Sequence, residues 1–110
     1  MATPADVRKI ALALDGASEI DHWGRPAYRT AKRIFAVMRP DGLLLNLPQE
    51  RKEFLFAAAP ETFVKLMWGK TANVVVQIAK VSKRELAGLI GEAYAHNKPP
   101  AKKGKKKASA

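Results

Sequence analysis

Residues 18–47 read SEIDHWGRPAYRTAKRIFAVMRPDGLLLNL, and they have the pattern of a β-meander. From Ile34 to Arg39 the side chains alternate with a period of two, which is typical of a strand. The turn Pro40-Asp41-Gly42 then leads directly into three leucines, which predict the next strand of the same sheet. We therefore expect the rest of the fold to be arranged around this meander.

Three motifs within the meander carry a family resemblance, namely WGRPAYR at residues 23–29, KRIFAVMR at 32–39 and DGLLL at 41–45. In this order they resemble the MmcQ/YjbR family of small bacterial proteins, over roughly residues 7–95. The resemblance implies a frataxin-like (CyaY-like) α+β sandwich with a "double wing" arrangement, and DNA binding as the role proposed for the family. Ala31 and Lys32 stand where many members have Gly-Gly. Because alanine resists the positive φ of a two-residue turn, we expect a longer or bulged loop there.

A helix is predicted on each side of the meander. Thr3 is a suitable N-cap, proline follows it, apolar residues recur at positions 7, 10, 11 and 14, and Gly16 is suited to end the helix. Near the other end of the domain, Ser82 and Glu85 form an S-x-x-E capping box, which predicts the start of the last helix.

Between the meander and the last helix, the sequence predicts a short helix and two further strands. Pro48 precedes a helix from Gln49 to Ala58, with Phe54 and Leu55 on its buried side. Residues 62–67 are apolar and β-prone, and residues 73–81 (NVVVQIAKV) are rich in β-branched side chains, so both are predicted strands.

The predicted fold class is α+β, a two-layer sandwich in which an antiparallel sheet carries the N- and C-terminal helices on one face. A chain of 110 residues is enough for one such core. Residues 1–97 are the predicted domain, and residues 98–110 are a predicted disordered tail, since they contain no apolar side chain larger than alanine.

Composition limits the classes of protein that remain. The chain contains no cysteine, which excludes disulfides, thiolate zinc sites and cysteine nucleophiles. No apolar segment at the N-terminus or elsewhere approaches the roughly 20 residues that span a bilayer, so we expect no membrane span and no export signal. A cytoplasmic monomer is the default expectation.

The formal net charge of +10 is concentrated in the tail. Six lysines without a single acidic residue contribute +6 there, which leaves about +4 for the domain. Such lysines neutralise phosphates without reading base sequence, and duplex DNA would give a log K against log salt slope of about −5 from the tail alone. The alternative is a solubility tail or a segment that binds any polyanion, including RNA or acidic lipid. The tail candidates are Lys98, Lys102, Lys103, Lys105, Lys106 and Lys107.

Basic residues in the meander form a second candidate nucleic-acid surface, because a hairpin that carries arginines can act as a wing against DNA. The alternative is a solvated sheet face whose charges protect an edge. Lysines of the second strand pair, Lys65, Lys70 and Lys80, would extend the surface if the two loops lie at the same end of the sheet. The meander candidates are Arg25, Arg29, Lys32, Arg33 and Arg39.

Aromatic residues form a third candidate, a small-ligand or partner surface. Trp23, Tyr28 and Trp68 would line a shallow pocket if their loops approach each other, with His22 at the rim. The alternative is that these rings belong to the core.

Residue types that catalysis or metal binding would need are scarce. His22 and His96 are far apart, and the sequence contains neither a glycine-rich phosphate loop nor a G-x-S-x-G motif. The carboxylates near the first helix, which an iron site would use, lie among arginines and lysines. We therefore predict no catalytic residues, no metal and no cofactor. The leading hypothesis is a DNA-binding protein, and the alternative is a non-enzymatic ligand or interaction module.

Overall fold

The computed structural model describes residues 2–99, apart from the side chain of Trp68. Three α-helices, six strands and one short 3₁₀ helix follow each other along this part of the chain. In chain order they are α1 (Pro4–Leu12), β1 (Ser18–His22), β2 (Arg25–Arg29), β3 (Ile34–Arg39), β4 (Gly42–Leu45), α2 (Gln49–Ala58), β5 (Phe63–Trp68), β6 (Thr71–Val76), the 3₁₀ helix (Ile78–Lys80) and α3 (Lys83–Asn97).

The six strands form one antiparallel sheet in the order β1-β2-β3-β4-β6-β5. The first four strands are the predicted meander. The chain then crosses through α2 and returns along the sheet edge as β5, so that β6 pairs with both β4 and β5. This is the predicted α+β sandwich. Among the described residues, no helix is long and apolar enough to cross a membrane.

The helices cover one face of the sheet. Leu43 and Leu45 of β4 and Val74 and Val76 of β6 point to this face and pack with buried residues of all three helices, including Ile90. Alternate side chains point to the opposite face, which we call the open face. Its members include Ala27, Val37 and Val75, which are buried without belonging to the helix-side core.

The predicted capping box at Ser82 is present, and the predicted N-cap Thr3 also turns out to form a capping box, with Asp6. Thr3 and Asp6 exchange side-chain and backbone hydrogen bonds at the start of α1, and Ser82 and Glu85 do the same at the start of α3. Helix α2 differs from the prediction, because Phe54 is 61% exposed while Lys52 is buried. The guanidinium of Arg51 lies over the Phe54 ring at 5.4 Å and accounts for its outward position.

The predicted strand at residues 73–81 is wrong beyond Val76. At this point neither neighbour continues, since Val76 pairs with Leu43 near the start of β4 and with Phe63 at the start of β5. Without ladder partners, β propensity is insufficient to extend the strand. Instead the Gln77 side chain donates to the Asp41 carbonyl at 2.8 Å, and the 3₁₀ helix turns the chain toward α3.

The β2–β3 connection is longer than a two-residue turn, as predicted. It spans residues 30–33, and the strand register shifts between Tyr28 and Arg29. Because adjacent strands are antiparallel, this loop lies at the same end of the sheet as the β5–β6 turn. The C-terminus of α3 lies at this end too, where it is hydrogen-bonded to the loop. We call this end of the sheet the Lys98 end. The β1–β2 turn at residues 23–24 and the β3–β4 turn at 40–41 lie at the opposite end, which we call the Trp23 end.

Candidate functional site

The β2–β3 loop is bonded to the C-terminus of α3. The Thr30 hydroxyl donates to the Asn97 carbonyl at 2.8 Å, and an Arg33 Nη2–H donates to the His96 carbonyl at 3.4 Å. The same Thr30 hydroxyl accepts the backbone N–H of Lys32 at 3.0 Å, which holds the loop in a compact turn. Thr30 is buried, so its bond to the Asn97 carbonyl is shielded from water.

Asn97 fixes the end of α3 from the inside. Its carboxamide is fully buried, accepts from Asn46 Nδ2 at 2.7 Å, and donates to the carbonyls of Asn46 and Ala93 at 2.8 and 2.7 Å. These hydrogen bonds hold the end of α3 firmly in place, because breaking any of them would leave a buried polar group without a partner. The first residue after the helix, Lys98, therefore leaves the domain from a defined place.

Three of the predicted meander bases lie at this end. Arg29 is half-buried and donates from Nε to the Thr30 carbonyl at 3.0 Å, whereas Lys32 and Arg33 are exposed. Lys70 of the β5–β6 turn and Lys98 lie at the same end and are exposed. Among residues 2–99, none of these five side chains forms an ion pair with a carboxylate. Their charges are therefore available to an anionic partner.

His96 reports the positive field at this end. Partial desolvation lowers its pKa from the usual 6.5, and the nearby charges of Arg33, Lys52 and Lys32 lower it further. The Lys52 ammonium contributes from below the surface, where it donates to the Ala72 carbonyl at 2.6 Å.

The other two predicted meander bases, Arg25 and Arg39, lie at the Trp23 end. Arg39 donates from Nε and Nη2 to the two carboxylate oxygens of Asp41 at 2.8 and 3.3 Å. This pair raises the pKa of Arg39 and lowers the pKa of Asp41. The structure thus divides the five predicted meander bases between the two ends of the sheet.

The remaining predicted lysines are distributed as follows. On the edge strand β5, the Lys65 ammonium lies over the Phe56 ring at 5.2 Å. Lys80, in the 3₁₀ helix, donates to the Glu61 carbonyl. Neither lysine therefore extends the basic surface around Arg33. Lys70 does share its end of the sheet. The predictions for Lys102, Lys103, Lys105, Lys106 and Lys107 lie outside the described residues.

The three predicted surface aromatics are not brought together. Tyr28 faces the helices and is 2% exposed. Burial is the largest cause of its raised pKa, and the nearby Glu19 carboxylate raises the pKa further. The Trp23 turn and the β5–β6 turn, which begins after Trp68, lie at opposite ends of the sheet. The side chain of Trp68 lies outside the described part of the structure. The end of the sheet at which each loop lies depends on the order of the strands. The aromatic residues gave no information about this order in the sequence.

A different cavity, which sequence reasoning missed, occurs on the open face near the Trp23 end. Its volume is about 420 Å³. His22 and Trp23 are at its edge, and their rings meet edge to face with centroids 6.3 Å apart. The sequence feature that could have indicated this cavity is the Trp-Gly turn. A two-residue hairpin turn fixes the register of its two strands, and the register decides which of their side chains lie on the same face. The lining residues are His22, Trp23, Arg25, Ile34, Val37, Arg39, Leu44 and Asn73.

Metal-binding side chains are not clustered in the part of the chain that the structure describes, where no group of three or more His, Asp or Glu residues is placed to hold an ion. The arrangement at the Lys98 end offers charge and hydrogen-bond donors instead. Such groups bind anions.

Comparison with known proteins agrees with the motifs of the meander. The profile of the YjbR family matches residues 12–96, which is most of the described chain. No curated protein and no solved structure matches the chain significantly. The match covers every strand of the sheet together with α2 and α3. The chain therefore belongs to the YjbR family.

Proposed function

We propose that this protein is a non-enzymatic, monomeric DNA-binding protein that contacts DNA phosphates through the Lys98 end. One observation carries the proposal. The loop with Arg29, Lys32 and Arg33 is hydrogen-bonded to the end of α3, from which the lysine-rich segment continues. Loop and segment can therefore engage neighbouring phosphates of one duplex.

The chemistry of these groups favours phosphate contacts over base reading. Arg33 and Lys32 are exposed cations, and no carboxylate among the described residues neutralises them. Guanidinium groups bind phosphate oxygens in a bidentate manner, while lysines act as point charges. Contacts of this type set affinity and orientation and carry no sequence information directly. We expect weak discrimination between DNA sequences.

The lysine-rich segment would add reach and charge. The last lysine, Lys107, follows Pro99 by eight residues, and a fully extended chain of this length spans at most about 26–29 Å. The five lysines beyond Lys98 could then contact phosphates within about this distance of those that the loop contacts. Counterion release makes both sets of contacts strongly dependent on salt.

A matched pair of variants tests this proposal. Lys32→Gln with Arg33→Gln removes two charges at the Lys98 end, and Lys80→Gln with Arg84→Gln removes two exposed charges elsewhere. Binding of a fluorescent DNA duplex is measured by anisotropy across a salt series. The first pair should reduce the magnitude of the log K against log salt slope by about two, because two phosphate contacts are lost. The second pair should leave the slope almost unchanged.

Two outcomes would contradict the proposal. Equal effects of both pairs would mean that DNA responds to net charge and not to this end of the sheet. Absence of binding by the full chain at low salt would remove DNA as the partner. A variant with Gln at positions 102, 103, 105, 106 and 107 measures the contribution of the lysine-rich segment separately.

The alternative hypothesis, a ligand or interaction surface made by Trp23, Tyr28 and Trp68, is not proposed in that form. Tyr28 is a core residue, Trp23 belongs to the β1–β2 turn, and Trp68 ends β5 at the opposite end of the sheet.

A further inference from the structure

We propose that the open face of the sheet holds a second binding site, for a small amphipathic anion: a planar apolar body that carries a carboxylate. The site is the cavity beside Trp23. Its arginines, Arg25 and Arg39, lie at the opposite end of the sheet from Lys98, so this inference does not depend on DNA binding.

The cavity has an apolar base and a cationic rim. Ile34, Val37 and Leu44 supply the base, and they belong to adjacent strands of the open face. Arg25 and Arg39 supply the rim. A volume of about 420 Å³ lies within the usual range for small-molecule sites, which is about 300–1,000 Å³. This pairing of surfaces fits a ligand with one apolar part and one anionic part.

The rim charges favour a carboxylate. Arg39 uses Nε and Nη2 to bind Asp41, which holds its guanidinium in place while Nη1 stays outside that pair. Arg25 forms no ion pair and no side-chain hydrogen bond among residues 2–99, although it is half-buried. Asp41 is near enough for the charge of Arg25 to help lower its pKa, but it does not occupy the guanidinium donors of Arg25. A half-buried guanidinium with these donors open, on the edge of an apolar cavity, is suited to bidentate carboxylate binding.

Trp23 supplies an independent reason to regard this place as a site. It has φ +56° and is 89% exposed. A bulky residue at positive φ costs conformational energy, and exposure of a large apolar ring gains nothing for folding. Asparagine would suit this position of a two-residue turn far better. The observed geometry instead places an exposed indole at the edge of the cavity, where we expect a planar ligand to stack on it.

Binding of 2-naphthoate to the full chain provides the test, with 2-naphthalenemethanol as a neutral probe of similar shape. Amide chemical shifts in a ¹⁵N NMR titration locate the site and give the Kd. Naphthoate should shift residues of the β1–β2 turn and β3, and naphthalenemethanol should bind about tenfold more weakly because it lacks the charged hydrogen-bonding partner.

Three variants make the test specific. Arg25→Gln should weaken naphthoate binding by about tenfold and leave naphthalenemethanol binding nearly unchanged. Trp23→Asn, which keeps a residue suited to the turn, should weaken both probes. Arg84→Gln, a change of an exposed arginine on α3, should affect neither. The amide spectrum of each variant shows directly whether the fold is retained.

The inference fails if naphthoate at millimolar concentration shifts no residue of the open face. It also fails if Arg25→Gln and Arg84→Gln have the same effect, or if both probes bind equally well. DNA binding is measured separately with Arg25→Gln. A normal DNA affinity together with lost naphthoate affinity supports two independent sites, whereas loss of both contradicts the separation.

Discussion

At the scale of single residues, a few polar side chains determine what the surface can bind. Thr30 and Asn97 are buried, and the Thr30 hydroxyl donates to the Asn97 carbonyl. This hydrogen bond fixes the cations of the β2–β3 loop relative to the end of α3. Arg39, by contrast, has two of its three guanidinium nitrogens engaged by Asp41. The number of arginines in the meander is therefore a poor guide to its binding capacity, since their partners decide which charges remain available.

His96 provides a pH test of the proposed DNA contact. Its pKa lies below 6.5 in the free protein because of desolvation and then of neighbouring cations. Phosphates at the Lys98 end would offset those cations and raise the pKa, so the complex would bind more protons than the free protein. DNA affinity should then increase as pH falls through the interval between the bound and free pKa values. NMR titration of the imidazole, with and without DNA, measures both.

His96→Gln is the control for this pH dependence, because it removes the titrating group without changing the loop. His22 at the Trp23 end is an internal reference, and its signals should not move when DNA is added. An unchanged His96 pKa in the complex would argue against phosphates near this residue.

The lowered pKa of His96 in the free protein also affects stability. It means that the folded state binds fewer protons than the unfolded state, so the free energy of unfolding should decrease as pH falls below about 6.5.

At the scale of elements, Gly42 shows how closely the β3–β4 turn meets β6. Its φ is +140°, and an added Cβ would lie 2.6 Å from the Val76 carbonyl oxygen and 2.7 Å from Val75 Cγ1. Gly42→Ala should therefore lower the free energy of unfolding by about 2–4 kcal/mol, through strain and a forced shift of β6. Urea unfolding followed by circular dichroism measures this change.

Gly88→Ala is the matched control for Gly42→Ala. Gly88 lies inside α3 with nothing within 4 Å of an added Cβ, so alanine should raise the free energy of unfolding by about 0.5–1 kcal/mol. Opposite signs for the two substitutions are expected. Destabilisation of similar size at both positions would show that the tight contact at Gly42 is not the cause.

Elements whose signals are local could be predicted from the sequence. The N-cap at Thr3 and the capping box at Ser82 depend on residues at most three positions apart, and the meander depends on alternation and one turn. The end of β6 at Val76 could not be predicted in this way, because it depends on where β4 and β5 begin. The bond between Thr30 and Asn97 joins residues 67 positions apart, and no pattern in the sequence indicates it.

At the scale of the whole molecule, the sheet separates two kinds of surface. The Lys98 end combines exposed cations with the start of a segment that carries most of the net charge of +10. The Trp23 end carries Arg39 paired with Asp41, Arg25 without an ion pair among the described residues, an apolar cavity and an exposed indole. Summed charge of this kind attracts polyanions from a distance, and the effect decreases as salt increases.

The most direct measurement of the central claim is a ¹⁵N NMR map of the full chain with a DNA duplex at low salt. We expect the largest amide shifts at residues 29–33, at Lys70 and at residues 96–98, with little change at the Trp23 turn. These shifts should disappear together as salt is raised, because they share phosphate contacts. Shifts centred on Trp23 and the open face, or no shifts in residues 2–99, would contradict the proposal that DNA binds at the Lys98 end.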